Sequence, residues 1–80
     1  MADRETVLVT GAAGSVGIHL VRELLAAGYR VKATDRAGRS LPFGGSRVKI
    51  VPGDLTDRPF VHDLPFGVQH VINAGALVDI

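Results

Sequence analysis

The sequence predicts an α/β fold in which strands and helices alternate around a parallel sheet. Short apolar runs with the length of buried strands recur along its 80 residues. A pattern with apolar residues three or four positions apart separates the first two runs, and a glycine cluster at 11–17 joins the first run to it. Strands joined by helical crossovers and short connections form parallel sheets, because each crossover returns the chain to the same end of the sheet.

The first strand and first helix are the clearest elements. Residues Glu5–Thr10 are too continuously apolar for a half-exposed strand, so we expect a central strand that is buried on both faces. The periodic apolar residues then predict a helix from Ser15 to about Ala27. Gly28 follows the last periodic position and is expected to end the helix, because glycine readily adopts the left-handed backbone of a C-terminal cap.

The remaining elements are shorter and are separated by residues that favour turns. A loop is expected over 36–47, where glycines, a proline and charges cluster. A helix is expected to begin near Asp57 and to be stopped by Pro65 after a turn or two. Three further strands are predicted, of which the first alternates and is therefore less buried: Arg30–Asp35, Val48–Val51 and Val68–Asn73.

Right-handed crossovers between these strands predict the sheet order 3-2-1-4, which is that of a Rossmann-type half-domain with about four strands. The direction of winding reverses beside the first strand. This reversal opens a crevice at the carboxyl ends of strands one and four, which is where ligands bind in such sheets. We therefore expect residues 11–17 and 73–76 to line a ligand site.

The glycines at the end of the first strand favour a phosphate ligand. A strand that turns directly into a helix presents unpaired backbone N–H groups and the positive end of the helix dipole at one point. Gly11 would permit the tight turn, Gly14 would leave space for a pyrophosphate, and Gly17 would let the helix pack closely on the strand. The spacing is Gly-x-x-Gly-x-x-Gly, so the match to a dinucleotide fingerprint is one of mechanism. We expect Ser15 to cap the helix and to bond phosphate.

Asp35, at the end of the second strand, is the second candidate. A carboxylate about 20 residues after the glycines can accept hydrogen bonds from the ribose hydroxyls of an adenine dinucleotide, and it would repel a 2′-phosphate. Arg36 and Arg39 could attract such a phosphate, or stack on adenine. The carboxylate favours NAD over NADP. The alternative is that Asp35 only caps a loop at the strand end.

Two further turns are candidates with equally simple structural explanations. Asp54 could reach the adenine amino group, or it could be a turn former ahead of Asp57, which we assign to helix capping. The small residues of 73–76 could leave space beside the pyrophosphate and the nicotinamide ribose, or they could form a tight strand-exit turn.

Taken in order, the segments Val9–Gly17, Asp35–Arg36, Gly53–Asp57 and Val71–Ala76 closely resemble the short-chain dehydrogenase/reductase superfamily. The nearest likeness is to its extended branch, the NAD-dependent epimerases and dehydratases, over essentially the whole chain. The resemblance implies that amides near Ser15 and Val16 hold the pyrophosphate and that Asp35 binds the adenosine ribose. It also implies that Asp54 and Leu55 frame the adenine and that 74–76 lie along the inner half of the cofactor. The candidate cofactor-binding residues are Gly11, Ala13, Gly14, Ser15, Val16, Gly17, Asp35, Arg36, Asp54, Leu55, Asn73, Ala74, Gly75 and Ala76.

The chain departs from the family pattern in two respects. Asn73-Ala74-Gly75 is more like the classical branch than the extended one. Members of the family use a tyrosine whose pKa is lowered by a lysine four residues later, whereas Tyr29, the single tyrosine here, is followed at that place by Ala33. We therefore assign no catalytic residue. The chain is interpreted as a truncated dinucleotide-binding segment, residues 1–80, of an oxidoreductase or epimerase. The alternative is a self-assembling or engineered fragment without useful ligand affinity.

The composition argues against several classes of protein, including nucleic-acid binders, metal-binding domains and membrane proteins. A net charge of +1 and 46% apolar residues describe an ordinary globular chain without the basic stripe of a nucleic-acid binder. The absence of cysteine excludes disulfides and thiolate ligands, and the three histidines lack metal-ligand spacing. The polar start is no signal peptide and no run reaches membrane-spanning length, so a cytoplasmic location is expected. The open edge of the fourth strand and the tail at 77–78 predict self-association, as a homodimer or a higher assembly.

Overall fold

A computed structural model describes residues 5–36, 41–54 and 56–74 of the chain. Four parallel strands form one sheet in the order β3-β2-β1-β4, which confirms the predicted Rossmann-type order. The elements in chain order are β1 (Thr6–Thr10), α1 (Ser15–Ala26), β2 (Arg30–Thr34), β3 (Val48–Ile50), α2 (Arg58–Asp63) and β4 (His70–Asn73).

β1 is the central strand and is buried on both faces, as its continuous apolar sequence predicts. Val7, Leu8 and Val9 expose 3%, 3% and 0% of their surfaces. Val9 lies in register with Ala33 of β2 and with Ile72 of β4. In-register residues of parallel strands project to the same face, and on this face they pack with the apolar residues of α1 into the main core.

The C-terminus of α1 is closed by a Schellman motif. Gly28 has the left-handed φ of 96°, and its amide donates to the Leu25 carbonyl oxygen at 3.1 Å. The Tyr29 amide donates to the Leu24 carbonyl oxygen at 3.0 Å, so two carbonyls of the last turn are satisfied. This cap turns the chain directly into β2 and confirms the expected role of Gly28.

The opposite face of the sheet is covered by α2 and the turn that follows it. Leu64 is buried at 4% exposure, and its carbonyl oxygen accepts a hydrogen bond from Lys32 Nζ at 2.5 Å. α2 is only 6 residues long and has no buried residue of its own. The second layer is therefore much thinner than the first.

β4 lies at an edge of the described sheet, as predicted, although its sequence is that of an interior strand. Val71 exposes 58% of its surface. The strand begins at His70 and not at Val68. The Thr6 amide donates to the side-chain oxygen of Gln69 at 2.8 Å, so it is not available to pair with a backbone carbonyl of an earlier β4 residue. Among the described residues no helix is long or apolar enough to cross a membrane.

Candidate functional site

Three strand ends are tied together at the carboxyl edge of the sheet. The Ala12 amide donates to the Thr34 carbonyl oxygen at 3.1 Å, and the Ala74 amide donates to the Thr10 carbonyl oxygen at 3.0 Å. Thr10 Oγ1 also donates to Asn73 Oδ1 at 2.6 Å. The carboxyl ends of β1, β2 and β4 are thus joined by hydrogen bonds at the predicted crevice.

The three glycines of the turn after β1 have different structural reasons. Gly11 adopts a left-handed φ of 69°, which L-residues with a side chain rarely adopt. A Cβ at Gly17 would lie 2.2 Å from the Gly11 carbonyl oxygen, so the close contact of helix and turn requires glycine. A Cβ at Gly14 would lie 3.5 Å from that oxygen, an ordinary contact, and Gly14 has φ −77° and ψ 166°. The fold itself therefore requires Gly11 and Gly17 but not Gly14.

The amides of the turn fall into two groups. Those of Ala12, Ala13 and Gly14 are used inside the fold, the last through a 3.2 Å hydrogen bond to the Gly11 carbonyl oxygen. Within the described part of the chain, no acceptor is bound to the amides of the first helical residues, 15–17. Ser15 and Val16 are exposed residues, and their amides lie at the positive end of the α1 dipole.

The N-terminal cap of α1 differs from the expectation. The N-cap residue is Gly14, and no side chain caps the helix, so the assignment of Ser15 as a helix cap is wrong. The helix starts one residue earlier than a serine cap would require, because the extended Gly14 already directs its carbonyl oxygen to the Ile18 amide at 2.9 Å. Ser15 is consequently the first helical residue, and its own amide is one of those without an acceptor.

Asp35 accepts three backbone hydrogen bonds, two through its carboxylate and one through its carbonyl oxygen. Its Oδ2 accepts a hydrogen bond from the Ala13 amide at 2.9 Å, and its Oδ1 accepts one from the Arg36 amide at 2.7 Å. Its carbonyl oxygen accepts a third from the Gly53 amide at 3.0 Å. The carboxylate therefore lies against the glycine-rich turn. Sequence reasoning placed the two elements in one crevice but did not predict their direct contact, and a spacing of 22 residues carries no signal for it.

Asp54 forms a turn with Thr56. Its Oδ1 accepts hydrogen bonds from the Thr56 amide and the Thr56 hydroxyl, both at 2.8 Å. These bonds, with a smaller contribution from the charge of Arg36, hold the pKa of the Asp54 carboxyl below its usual value of 3.8. Asp57 is the N-cap of α2 and accepts from the Phe60 amide, which confirms its assignment to capping. The turn-forming interpretation of Asp54 is thus the one its described contacts favour.

The last candidates lie on the exit of β4 and in two segments outside the described residues. Asn73 lies at the end of the strand, and Ala74 is buried at 1% exposure directly after it. Leu55, Gly75 and Ala76 lie outside the described residues. The described candidates from the first three segments, Gly11–Gly17, Asp35–Arg36 and Asp54, all follow carboxyl ends of strands, at one edge of the sheet.

Other polar groups lie away from this edge. Tyr29 precedes β2 and packs beside the core at the amino-terminal end of the sheet, opposite the glycine-rich turn. His62 and Asp63 form an exposed pair at 3.1 Å. Over the ranges 5–36, 41–54 and 56–74, no group of three or more potential metal ligands lies together.

Comparisons with known proteins identify the family of the chain and agree with its fold. The family model of the NAD dependent epimerase/dehydratase family matches residues 7–80. Sterol demethylase protein B of Methylococcus capsulatus is 41% identical over 76 residues, which cover 94% of this chain and 23% of that protein. UDP-glucose 4-epimerase 4 of Oryza sativa is 51% identical over 57 residues, which cover 71% of this chain and 15% of that protein. The chain thus spans less than a quarter of the length of these curated relatives.

Solved structures give the same result. MoeE5, in complex with UDP-glucuronic acid and NAD, superposes with a TM-score of 0.71 at 44% identity, over 85% of this chain and 21% of MoeE5. A point variant of uronate dehydrogenase from Agrobacterium tumefaciens, complexed with NAD, gives a TM-score of 0.76 at 25% identity, over 89% of this chain and 26% of that one. The chain belongs to the NAD-dependent epimerase/dehydratase family.

Proposed function

We propose that this chain binds the ADP half of NAD at the carboxyl edge of its sheet. The observation that carries the proposal is the pair of amides of the exposed residues Ser15 and Val16, which have no acceptor within the described residues. They lie at the start of a 12-residue helix, where the dipole favours an anion. A diphosphate supplies both the negative charge and the acceptor oxygens that these groups lack.

The space beside these amides supports the same ligand. Gly14 tolerates a Cβ as far as the protein's own atoms are concerned, so the fold does not explain why glycine occupies this place. A ligand that approaches the backbone closely would explain it, because a side chain would then stand in its way. We assign Gly11, Ala13 and Gly17 to shaping the turn, and Gly14, Ser15 and Val16 to contact with the diphosphate.

Asp35 is the residue we assign to the adenosine ribose. Each of its carboxylate oxygens already accepts one amide hydrogen bond, and a carboxylate offers about four acceptor positions, so capacity for two hydroxyl donors remains. Its negative charge disfavours a 2′-phosphate, which supports NAD over NADP. Arg36 follows directly and is assigned to the adenine side of the site.

The remaining assignments follow the family resemblance. Asp54 and Leu55 would frame the adenine, and Asn73, Ala74, Gly75 and Ala76 would lie along the inner half of the cofactor. Bound NAD supplies hydride transfer, which no protein side chain can perform. The chain has no tyrosine with a lysine four residues later, so we propose that it is catalytically incomplete alone. The protein to which it contributes would act on a sugar or a steroid-like alcohol as an NAD-dependent epimerase, dehydratase or dehydrogenase.

Titration calorimetry with NAD, NADP and AMP tests this assignment, with residue-resolved NMR shifts recorded in parallel. The proposal expects saturable binding of NAD and AMP, weaker binding of NADP, and shifts centred on the amides of 13–17 and on Asp35. Saturable binding whose shifts lie elsewhere would contradict the assignment of the site. No binding by any of the three would favour the alternative of a fragment without ligand affinity.

Self-association is proposed on a separate observation. β4 is one of the two edge strands of the described sheet and pairs only with β1. Val71 of β4 exposes 58% of its surface beside this open edge. Open apolar edges pair readily with another strand, so we propose a homodimer or a higher assembly through β4. Sedimentation at micromolar concentration tests this: Val71→Lys should shift an assembled chain to monomer, and a wild-type chain that is already monomeric would refute it.

A further inference from the structure

A groove of about 290 Å³ opens at the amino-terminal end of the strands, whereas the glycine-rich turn lies at their carboxyl end. Its walls are the starts of β1 and β2, residues 46–49 at the start of β3 and Phe66 from the turn after α2. This volume lies at the lower end of the range for small-molecule sites. The cofactor assignment uses none of these residues.

The groove is strongly basic. Arg30, Lys32, Arg47 and Lys49 all line it, and none of its described lining residues is acidic. The whole chain carries a formal net charge of only +1, and the candidate-site carboxylates Asp35 and Asp54 lie at the opposite end of the sheet. Glu5 lies at the same end as the groove, but it does not line the groove and its carboxylate contacts His70. A concave surface with one sign of charge focuses the field and attracts ions of the opposite sign.

Two of these cations are placed next to each other by the sheet. Lys32 and Lys49 are partners in the β2–β3 register, so their side chains leave the same face of neighbouring strands. Like charges at such positions repel, which costs stability that an anion between them would restore. Lys49 is exposed, and its side-chain ammonium has no hydrogen-bond or ion-pair partner within the described part of the chain.

The neighbouring cations are held in place. Lys32 Nζ donates to the Leu64 carbonyl oxygen at 2.5 Å, and Arg47 Nη1 donates to the carbonyl oxygens of Leu25 at 2.9 Å and Tyr29 at 3.3 Å. These bonds are to neutral acceptors, so they fix the positions of the charges without neutralising them. A ligand would meet a prearranged set of cations and would lose less entropy in ordering them.

Phe66 adds an apolar rim. It is 70% exposed, the largest exposed fraction among the large apolar residues of the described chain. We infer that this groove is a binding site for a small organic molecule that carries two or more anionic groups on an apolar, preferably aromatic, body. The anionic groups would contact Lys32, Lys49 and Arg47, and the body would lie against Phe66. The inference is independent of the proposed cofactor site.

NMR titration of the 80-residue chain with benzene-1,3,5-tricarboxylate tests the inference, with citrate as a tricarboxylate without a ring. We expect saturable amide shifts at 30–32 and 46–49 with both, and tighter binding of the aromatic probe. Lys49→Gln should weaken both probes about fivefold, whereas Lys49→Arg should retain binding. Arg22→Gln, which removes the same charge from the exposed face of α1, is the matched control. Phe66→Ala should reduce the preference for the aromatic probe.

Three results would overturn the inference. One is the absence of saturable shifts at the groove in the millimolar range with a wild-type chain whose dispersed amide spectrum shows that it is folded. Another is an equal loss of affinity in Arg22→Gln and Lys49→Gln, which would show general charge attraction and no defined site. The third is a set of shifts confined to residues 13–17, because the probe would then be occupying the proposed diphosphate site.

Discussion

The backbone amide of Ala13 donates a hydrogen bond to the side chain of Asp35 across 2.9 Å, and this bond joins the glycine-rich turn to the end of β2. The carboxylate proposed to bind ribose therefore also fixes the turn proposed to bind diphosphate. Its loss should affect both the stability of the chain and its affinity for the cofactor, and the two effects can be measured separately.

Asp35→Ala should lower the free energy of unfolding by about 1–3 kcal/mol, because the Ala13 and Arg36 amides lose a charged acceptor. It should also weaken NAD about tenfold and move the preference toward NADP. Asp35→Asn, which keeps an oxygen for the Ala13 amide, should recover part of the stability but little of the discrimination. Urea unfolding and calorimetry measure these effects. Unchanged affinity of Asp35→Ala for both cofactors would show that the ribose assignment is wrong.

Gly14 and Gly17 form a matched pair for separating binding from folding. Gly14→Ala should leave the thermal unfolding midpoint nearly unchanged, since its Cβ meets no atom closer than 3.5 Å, yet it should abolish NAD binding. Gly17→Ala should destabilise the fold by about 1–3 kcal/mol through overpacking, because its Cβ would lie 2.2 Å from the Gly11 carbonyl oxygen. Circular dichroism melting and calorimetry on both variants check this. Normal NAD affinity in a folded Gly14→Ala chain would contradict the proposed contact.

Thr34 should be more stable as valine. Its hydroxyl is fully buried and has no hydrogen-bond partner in the described structure, so the substitution removes an unsatisfied group at nearly constant volume. We expect Thr34→Val to raise the free energy of unfolding by about 1 kcal/mol.

The control is its in-register neighbour Thr10, whose hydroxyl donates to Asn73. Thr10→Val should lower the free energy of unfolding by about 1 kcal/mol. Urea denaturation of both variants gives the comparison. A destabilised Thr34→Val chain would mean that the Thr34 hydroxyl makes a favourable interaction in solution.

Asp54 should contribute to the acid sensitivity of the chain. The pKa of its carboxyl is lowered in the folded state from 3.8 by the Thr56 hydrogen bonds, so the folded state favours the charged form. Its contribution is therefore complete above pH 3.8 and is lost as the pH falls through the lower folded-state pKa. Asp54→Asn should be less stable than wild type at neutral pH and equal to it well below pH 3.8.

Thr56→Val should show a smaller version of the same difference, since the backbone bond to Asp54 survives. Urea unfolding at a series of pH values checks both variants. A stability difference between wild type and Asp54→Asn that stays constant through the acid range would show that the carboxyl does not titrate differently in the folded chain.

The sheet order could be predicted because several sequence signals agree. The apolar run of β1, the periodic pattern of α1 and the capping Gly28 each specify one element, and short right-handed crossovers leave few arrangements for them. The positions of Asp35 and of the glycine-rich turn follow from that order alone. Asp57 could be predicted as a cap because proline follows it within α2.

Other features depend on contacts between distant residues and carry no local pattern. The Ala13–Asp35 bond exists only once the exits of β1 and β2 lie side by side, and the same is true of the Thr10–Asn73 bond. Gly14, not Ser15, is the helix cap because the extended Gly14 already accepts the first helical hydrogen bond, from the Ile18 amide, and this long-range turn geometry is not visible in the propensity of serine for cap positions. The basic groove likewise depends on the register that pairs Lys32 with Lys49.

The Gly53 amide, which donates to the Asp35 carbonyl oxygen, makes the aspartate a junction of three chain segments. Local opening at Asp35 would break the hydrogen bond from Gly53 as well as the one from Ala13. The segment after β3 would then separate from the end of β2. Occupancy by a ligand should then protect the entire sheet from denaturant, with a gain that grows logarithmically with ligand concentration. Slower hydrogen exchange of the amides in the middle of β1 would then report ligand binding at the carboxyl end of the sheet.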